Sequence, residues 1–320
     1  MNQFTRIKSR QTAVTQDPCV YANLDDLVRL RYKASGFSFL PRQPVHSILS
    51  GRHSSRLRGR GLNFEELRNY LPGDDTRQID WKVTARTRKP FVRVYTEEKD
   101  RTVWLLVDQR MSMFFGSRWK MKSVTAAEAA AVAAWRVLST GDRVGALVYD
   151  DTDMTIIPPH RSQERVVQIL KVIVAKNRAM NANNNIKSSP QMLNQALRRL
   201  GSMAGHDCLI CLIGDGYGID ADTRKYVTRL TEHNDVLSVF VYDPMEQSMP
   251  AAGRLVFTDG LEQLEVNSEQ QALRDAYASD FQQRLDKMQG TSRKHSIPLI
   301  KVHTATPVLD QVKDQLGRHS

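Results

Sequence analysis

The 320-residue chain is poor in cysteine, with only Cys19, Cys208 and Cys211. Three thiols so unevenly placed exclude a disulfide framework and suit a reducing compartment. Cys208 and Cys211 have the Cys-x-x-Cys spacing of metal and redox sites, but they lie in DCLICLIGD, which reads as a strand. Residues i and i+3 of a strand point to opposite faces, so both thiols are expected in the core and not on one ligand. Long apolar runs are missing too. The longest, such as LICLI and VLSVFVY, fall far short of the ~20 residues of a membrane span and suit buried strands. The opening MNQFTRIKSRQTAVTQDP has no apolar segment of the secretory kind, so the expected location is the cytoplasm.

Common catalytic signatures are absent as well. The eight histidines include no His-x-x-x-His pair. There is no Gly-x-Ser-x-Gly elbow and no Gly-x-x-x-x-Gly-Lys-Ser/Thr phosphate loop. Acidic residues are in the minority, 35 against 46 Lys and Arg, for a net charge of +11. The excess is concentrated in residues 1–100, which hold 19 basic and 11 acidic residues, whereas the rest holds 27 and 24. A basic region of this kind suits nucleic acid, anionic lipid or an acidic protein, and equally a solubilising surface. No zinc-finger spacing, helix-turn-helix signal or aromatic-interleaved basic motif singles out nucleic acid.

What the sequence does contain, from residue 102 on, is an alternation of apolar runs with amphipathic stretches. VWLLVD, RVGALVYD, DCLICLIGD, DVLSVFVYDP, GRLVFTDG and IPLIKVHT read as strands. MTIIP pairs with RVGALVYD through the Asp151-Thr152-Asp153 turn. Between them lie helical stretches: Ala-rich 120–139, ended by Thr140-Gly141; 162–177, with Ser162 as N-cap; one entered through Pro190; and ADTRKYVTRLTEHN. A long one, SEQQALRDAYASDFQQRLDKMQG, precedes the last strand. Continuous apolar strands interleaved with helices predict an α/β fold, a doubly wound, mostly parallel sheet with helices on both faces.

Residues 1–100 read as a separate basic region with a helix at LDDLVRLRYKASGF and short strand-like runs thereafter. Gly59 and Gly61 are backbone-permissive positions, and Pro72-Gly73-Asp74-Asp75 is a turn. Ile79 and Trp81, alternating around Asp80, suggest one buried strand face. The expected division is therefore 1–100, with a distinctive block at 51–100, and 101–320.

That block, GRGLNFEELRNYLPGDDTRQIDWKVTARTRKPFVRVYTEEKD, resembles the bacterial domain-of-unknown-function family 58. The resemblance rests on Gly59-Arg60-Gly61, Phe64, Glu66, Arg68, Pro72-Gly73-Asp74, Arg77, Ile79-Asp80-Trp81, Ala85-Arg86, Val92 and Glu97-Glu98, then TVWLLVD and GDRVGALVYDD. It implies a von Willebrand A-like domain centred on strand 103–108, and a MoxR-type AAA+ ATPase as partner. Many such proteins carry N-terminal membrane helices; this sequence is expected to be of the short, soluble type.

In open α/β sheets ligands collect beyond the carboxyl ends of strands, at the point where strand order reverses. The resemblance implies a metal-ion-dependent adhesion site there: an Asp-x-Ser-x-Ser loop, a threonine, and a later aspartate. Asp108, Ser112 and Asp215 match the first aspartate, the second serine and the later aspartate. Arg110 stands at the first serine, and Gln191 at the threonine, with Ser188 and Ser189 nearby. A guanidinium has no lone pair for a metal. At ~4 Å and an effective dielectric of about 20, it would repel a divalent ion by roughly 8 kcal/mol. Arg110 is therefore expected to lie between Asp108 and Asp215 in place of a metal, the alternative being a weakened Mg²⁺ or Ca²⁺ site. Arg60, Arg68, Asp74, Arg77, Asp80, Trp81 and Arg86 are expected to form an internal network or an interface. The paired carboxylates Asp74-Asp75 and Asp150-Asp151 are expected to be solvated or capping.

The function these readings favour is a non-enzymatic, cytoplasmic adaptor without a cofactor, binding a MoxR-type AAA+ ATPase and a client protein. Nucleic-acid association through the basic region and a metal-dependent hydrolase remain the alternatives.

Overall fold

Residues 102–108, apolar on both faces, form the middle strand of the main sheet. The computed structural model describes residues 17–34, 62–97, 100–180, 188–258 and 263–317. Its elements in chain order are α1 (Leu24–Arg29), β1 (Leu62–Asn69), α2 (Trp81–Thr87), β2 (Phe91–Glu97) and β3 (Thr102–Asp108). Then come α3 (Lys122–Ser139), β4 (Arg143–Tyr149), β5 (Met154–His160), α4 (Gln163–Ala179), α5 (Gln191–Met203), β6 (Leu209–Gly214) and α6 (Ala221–Thr231). The last are β7 (Asp235–Tyr242), α7 (Pro244–Gln247), β8 (Arg254–Thr258), β9 (Gln263–Asn267), α8 (Gln271–Lys294), β10 (Leu299–His303) and α9 (Val308–Gly317).

Six strands make one sheet in the order β10-β7-β6-β3-β4-β5, with every pair parallel except β4 and β5. Numbered within the sheet and read from β5, this is the 3-2-1-4-5-6 order of a doubly wound fold. The chain is thus of the α/β class with a doubly wound, mostly parallel sheet, and the order reverses between β3 and β6.

Alternation along β3 and β6 assigns the two faces. Val103, Leu105, Val107 and Cys211 face a core shared with α3, α4 and α9. Trp104, Leu106, Cys208 and Ile210 face one shared with α5 and α6. The two thiols therefore lie on opposite sides of the sheet, as strand geometry requires. Helix α3 sits deepest. Its residues Ala129 to Ala134, five alanines and Val132, are all buried.

The chain divides into two units, residues 47–100 and the remainder. The expected grouping of all of 1–100 is corrected for residues 17–34, which pack in the α/β unit. Ala22, Leu27 and Ala34 are buried there. Trp135 Nε1 donates to the Leu27 carbonyl at 3.1 Å, and the Ala22 N–H donates to Asn177 Oδ1 at 2.7 Å. The sequence shows an apolar α1 face but not which core receives it.

In the smaller unit β1 and β2 form an antiparallel pair with a bulge between Phe64 and Glu66. Asp80 is not inside a strand. Its carboxylate caps α2, accepting from the Lys82 and Val83 N–H groups at 3.0 and 3.1 Å. Trp81 begins that helix and is 68% exposed, so the predicted buried Ile79/Trp81 face does not form. β8 and β9 pair with each other apart from the main sheet. Among the described residues no helix is long and apolar enough to cross a membrane.

Candidate functional site

The end of β3 delivers Asp108 to the point where strand order reverses, and the end of β6 delivers Asp215 beside it. Gly214 makes that closeness feasible: a Cβ there would come within 3.0 Å of Asp108 Cβ. Both carboxylates are buried. Each therefore needs a partner, since an uncompensated charge in the interior is far too costly.

Arg110 partners Asp108. Its Nη2 donates to Asp108 Oδ2 at 2.6 Å and its Nε reaches Oδ1 and Oδ2 at 3.0 and 3.1 Å. Two further donors go to the Ser189 carbonyl at 3.2 Å (Nη1) and the Tyr217 carbonyl at 3.0 Å (Nη2). The guanidinium also lies over the rings of Tyr149 and Tyr217, at 5.4 and 5.9 Å from their centroids. With 0% exposure it is the largest fully buried side chain described. One residue thus ties its own loop to two others, 79 and 107 positions further along the sequence.

Asp215 has a different cation. Lys122, the first residue of α3, places Nζ 3.0 Å from Asp215 Oδ2 and 2.9 Å from Glu246 Oε1. Glu246 in turn accepts from Arg284 of α8 at 3.3 Å. A cation at a helix N-terminus opposes the helix dipole. Lys122 is buried there all the same, because two carboxylates face it. The expectation that Arg110 would bridge both aspartates is therefore corrected: the two carboxylates have separate partners.

Electrostatics follow from these contacts. Burial pushes the Asp108 carboxyl up, with Arg110 pulling the other way. The pair is nonetheless ionised, because a guanidinium keeps its proton in a protein and its donors require the carboxylate lone pairs. For Asp215 burial also pushes upward, but Lys122 and then Arg110 outweigh it and hold the group at about 2. The Lys122 ammonium is lowered by burial but raised more by Asp215 and Glu246, for a net rise.

Of the three hydroxyls that the resemblance implies as metal ligands, Ser112 is retained, with Ser188 as a nearby substitute for the threonine that Gln191 replaces. Ser112 Oγ, in the turn Met111–Met113, and Ser188 Oγ are buried and lack a hydrogen-bond partner. Gln191 is exposed at the start of α5. Asp151, expected to be solvated or capping, instead clips the loops of these serines together, accepting from the Met111 and Ser189 N–H groups at 2.5 and 2.6 Å. Its neighbour Asp150 accepts from Lys176 at 2.8 Å.

A divalent cation does not fit this arrangement. It needs oxygen lone pairs in near-octahedral order, and those of Asp108 and Asp215 are directed at a guanidinium and an ammonium. Among the described residues no group of three or more His, Cys, Asp or Glu is placed to hold a metal.

Of the signature residues, Arg68 and Asp74 form a two-pronged pair with both distances 2.7 Å, and Arg93 Nε donates to Asp80 at 2.8 Å. Arg77, Trp81 and Arg86 are exposed. Arg60 lies outside the described residues. Lys122 and Glu246 escaped the sequence reading because their contacts span 93 and 124 positions. The available signal was a lysine at the head of a largely apolar, Ala-rich helix.

The chain is similar to several known proteins. Proteins of Mycobacterium bovis and Mycobacterium tuberculosis named as uncharacterized are 27% identical over 301 residues, covering 93% of this chain and 92% of theirs. Among solved structures, the conserved hypothetical protein BatB of Bacteroides thetaiotaomicron aligns with 12% identity and a TM-score of 0.42, over 68% of this chain and 98% of that one. The SpRpn10 von Willebrand A domain aligns with 9% identity and a TM-score of 0.34, over 68% and 95%. The family described as "Protein of unknown function DUF58" matches residues 66–287, more than half of the sequence, and the chain belongs to that family.

Proposed function

We propose that this protein is a non-enzymatic, cytoplasmic adaptor that binds other proteins and works with a MoxR-type AAA+ ATPase on a client during complex assembly or maturation. One observation carries the non-enzymatic part. Asp108 and Asp215, at the strand ends where an α/β enzyme would keep its acid, base or metal ligands, are paired internally with Arg110 and Lys122. Groups held this way stiffen a surface; they do not exchange protons with a substrate. The rim of the same end carries Trp119 and Tyr217, 40% and 39% exposed, residue types that dominate protein-binding hot spots. Family membership supports the ATPase as partner.

The test is affinity capture of the full chain with the AAA+ ATPase of the same source, beside a Trp119→Ala/Tyr217→Ala variant. Recovery of the ATPase by wild type and its loss from the variant are expected. Wild type that retains no ATPase contradicts the partner.

A second reading, nucleic-acid association, has its own observation. The smaller unit exposes Arg77, Lys82, Arg86, Arg88 and Lys89 around the exposed Trp81. It requires oligonucleotide binding that falls steeply as salt rises through ~200 mM.

A further inference from the structure

We infer that Arg110 and Lys122 together occupy the role of a divalent ion at the strand ends, so that this switch point is a cation site whose charge is built into the chain. The inference stands whether or not the protein serves an ATPase. It rests on three features of the geometry.

The first is charge balance. Asp108, Asp215 and Glu246 are each answered by a cation, Arg110, Lys122 or Arg284, and the neighbouring buried Asp243 by Ser117, Thr304 and the Met245 N–H. A divalent ion added to this set would be surplus charge in a low-dielectric place. The second is division of labour. Asp108 takes its partner from its own loop, two residues on, whereas Asp215 takes a lysine from α3, 93 positions away. Removing either cation alone leaves the other beside its carboxylate, still repelling a metal. The third is what remains around them. The unpartnered hydroxyls of Ser112 and Ser188 sit on loops that Asp151 clips together, and Arg110 holds the second loop through the Ser189 carbonyl. One neutral oxygen donor of the implied ligand set, Ser112, is thus retained with Ser188 nearby, and the positive charge comes from side chains.

This arrangement makes the loops independent of ion concentration. A metal-held site opens when the ion is withdrawn; this one is fixed for as long as the chain is folded. It also makes Lys122 a positioning residue: it holds Asp215, and through Glu246 and Arg284 it joins β6 to α7 and α8.

The test uses Mn²⁺ as probe, followed by calorimetry and by loss of the free-ion paramagnetic resonance signal. Samples are the full chain, Arg110→Ser, Lys122→Met and the double variant, each checked for folding by circular dichroism. Wild type and both single variants are expected to bind Mn²⁺ weakly or not at all, and the double variant at least ~10-fold more tightly than either single. Micromolar binding by wild type overturns the inference. So does an Arg110→Ser variant that binds as tightly as the double, since Lys122 would then play no part. A folded double variant with no gain over wild type also overturns it. Should the double variant fail to fold, wild type decides alone: its melting temperature is expected to be the same in millimolar Mn²⁺ and in chelator, and a rise with Mn²⁺ refutes the inference.

Discussion

The strand-end site of the α/β unit and the signature block of the smaller unit are both rich in charge, and they use it in opposite ways. At the strand ends Asp108, Arg110, Lys122 and Asp215 are buried, and every one has an ionic partner. In the block the carboxylates of Asp74 and Asp80 are committed to arginines and to backbone N–H groups, while Arg77, Lys82 and Arg86 lie open to solvent. Burial decides between the two uses. A charge removed from water must be answered locally or the fold fails, whereas a charge left in water costs nothing and stays available to a partner.

The largest expected effect tests the first half of that contrast. Arg110→Met keeps bulk but leaves Asp108 buried beside Asp215 without its cation, and should destabilise the α/β unit by about 3–5 kcal/mol, read from the denaturant midpoint at unchanged slope. A loss below about 1 kcal/mol would mean that water reaches Asp108. Next comes acid. The Asp215 pKa is depressed to about 2 from an ordinary 3.8, so its contribution is fully present above about pH 4 and is lost as pH falls toward 2. That amounts to about 2 kcal/mol, and Lys122→Met should remove this part of the acid dependence. Denaturant titrations at a series of pH values measure it. The smallest effects belong to the smaller unit. Asp80→Ala removes the α2 cap and should lower that unit's stability modestly, whereas Arg86→Ala should change it by less than ~0.5 kcal/mol. Equal losses for the two would erase the distinction between structural and open charges.

Much of the fold was legible in the sequence because the signals were local. An apolar run such as VWLLVD needs cover on both faces, and the helices between such runs supply it. Asp108 and Arg110 were legible as a pair for the same reason, being two residues apart. Lys122 was not, because nothing near it announces Asp215 or Glu246, and a lysine heading a helix ordinarily belongs in solvent. Asp151 was misread because an Asp in a turn usually caps its own loop, whereas here it reaches two others. Ile79-Asp80-Trp81 was misread because three residues cannot separate strand alternation from a capped helix start. The helix-forming WKVTART that follows Asp80 carried that signal.

The claim that the chain supplies its own cations is tested most directly by a crystal structure grown in millimolar Mn²⁺ with anomalous data. The account expects the Arg110 guanidinium on Asp108, the Lys122 ammonium between Asp215 and Glu246, and no anomalous peak among the four strand-end side chains. A manganese peak bridging Asp108 and Asp215, with Arg110 turned away, would contradict it.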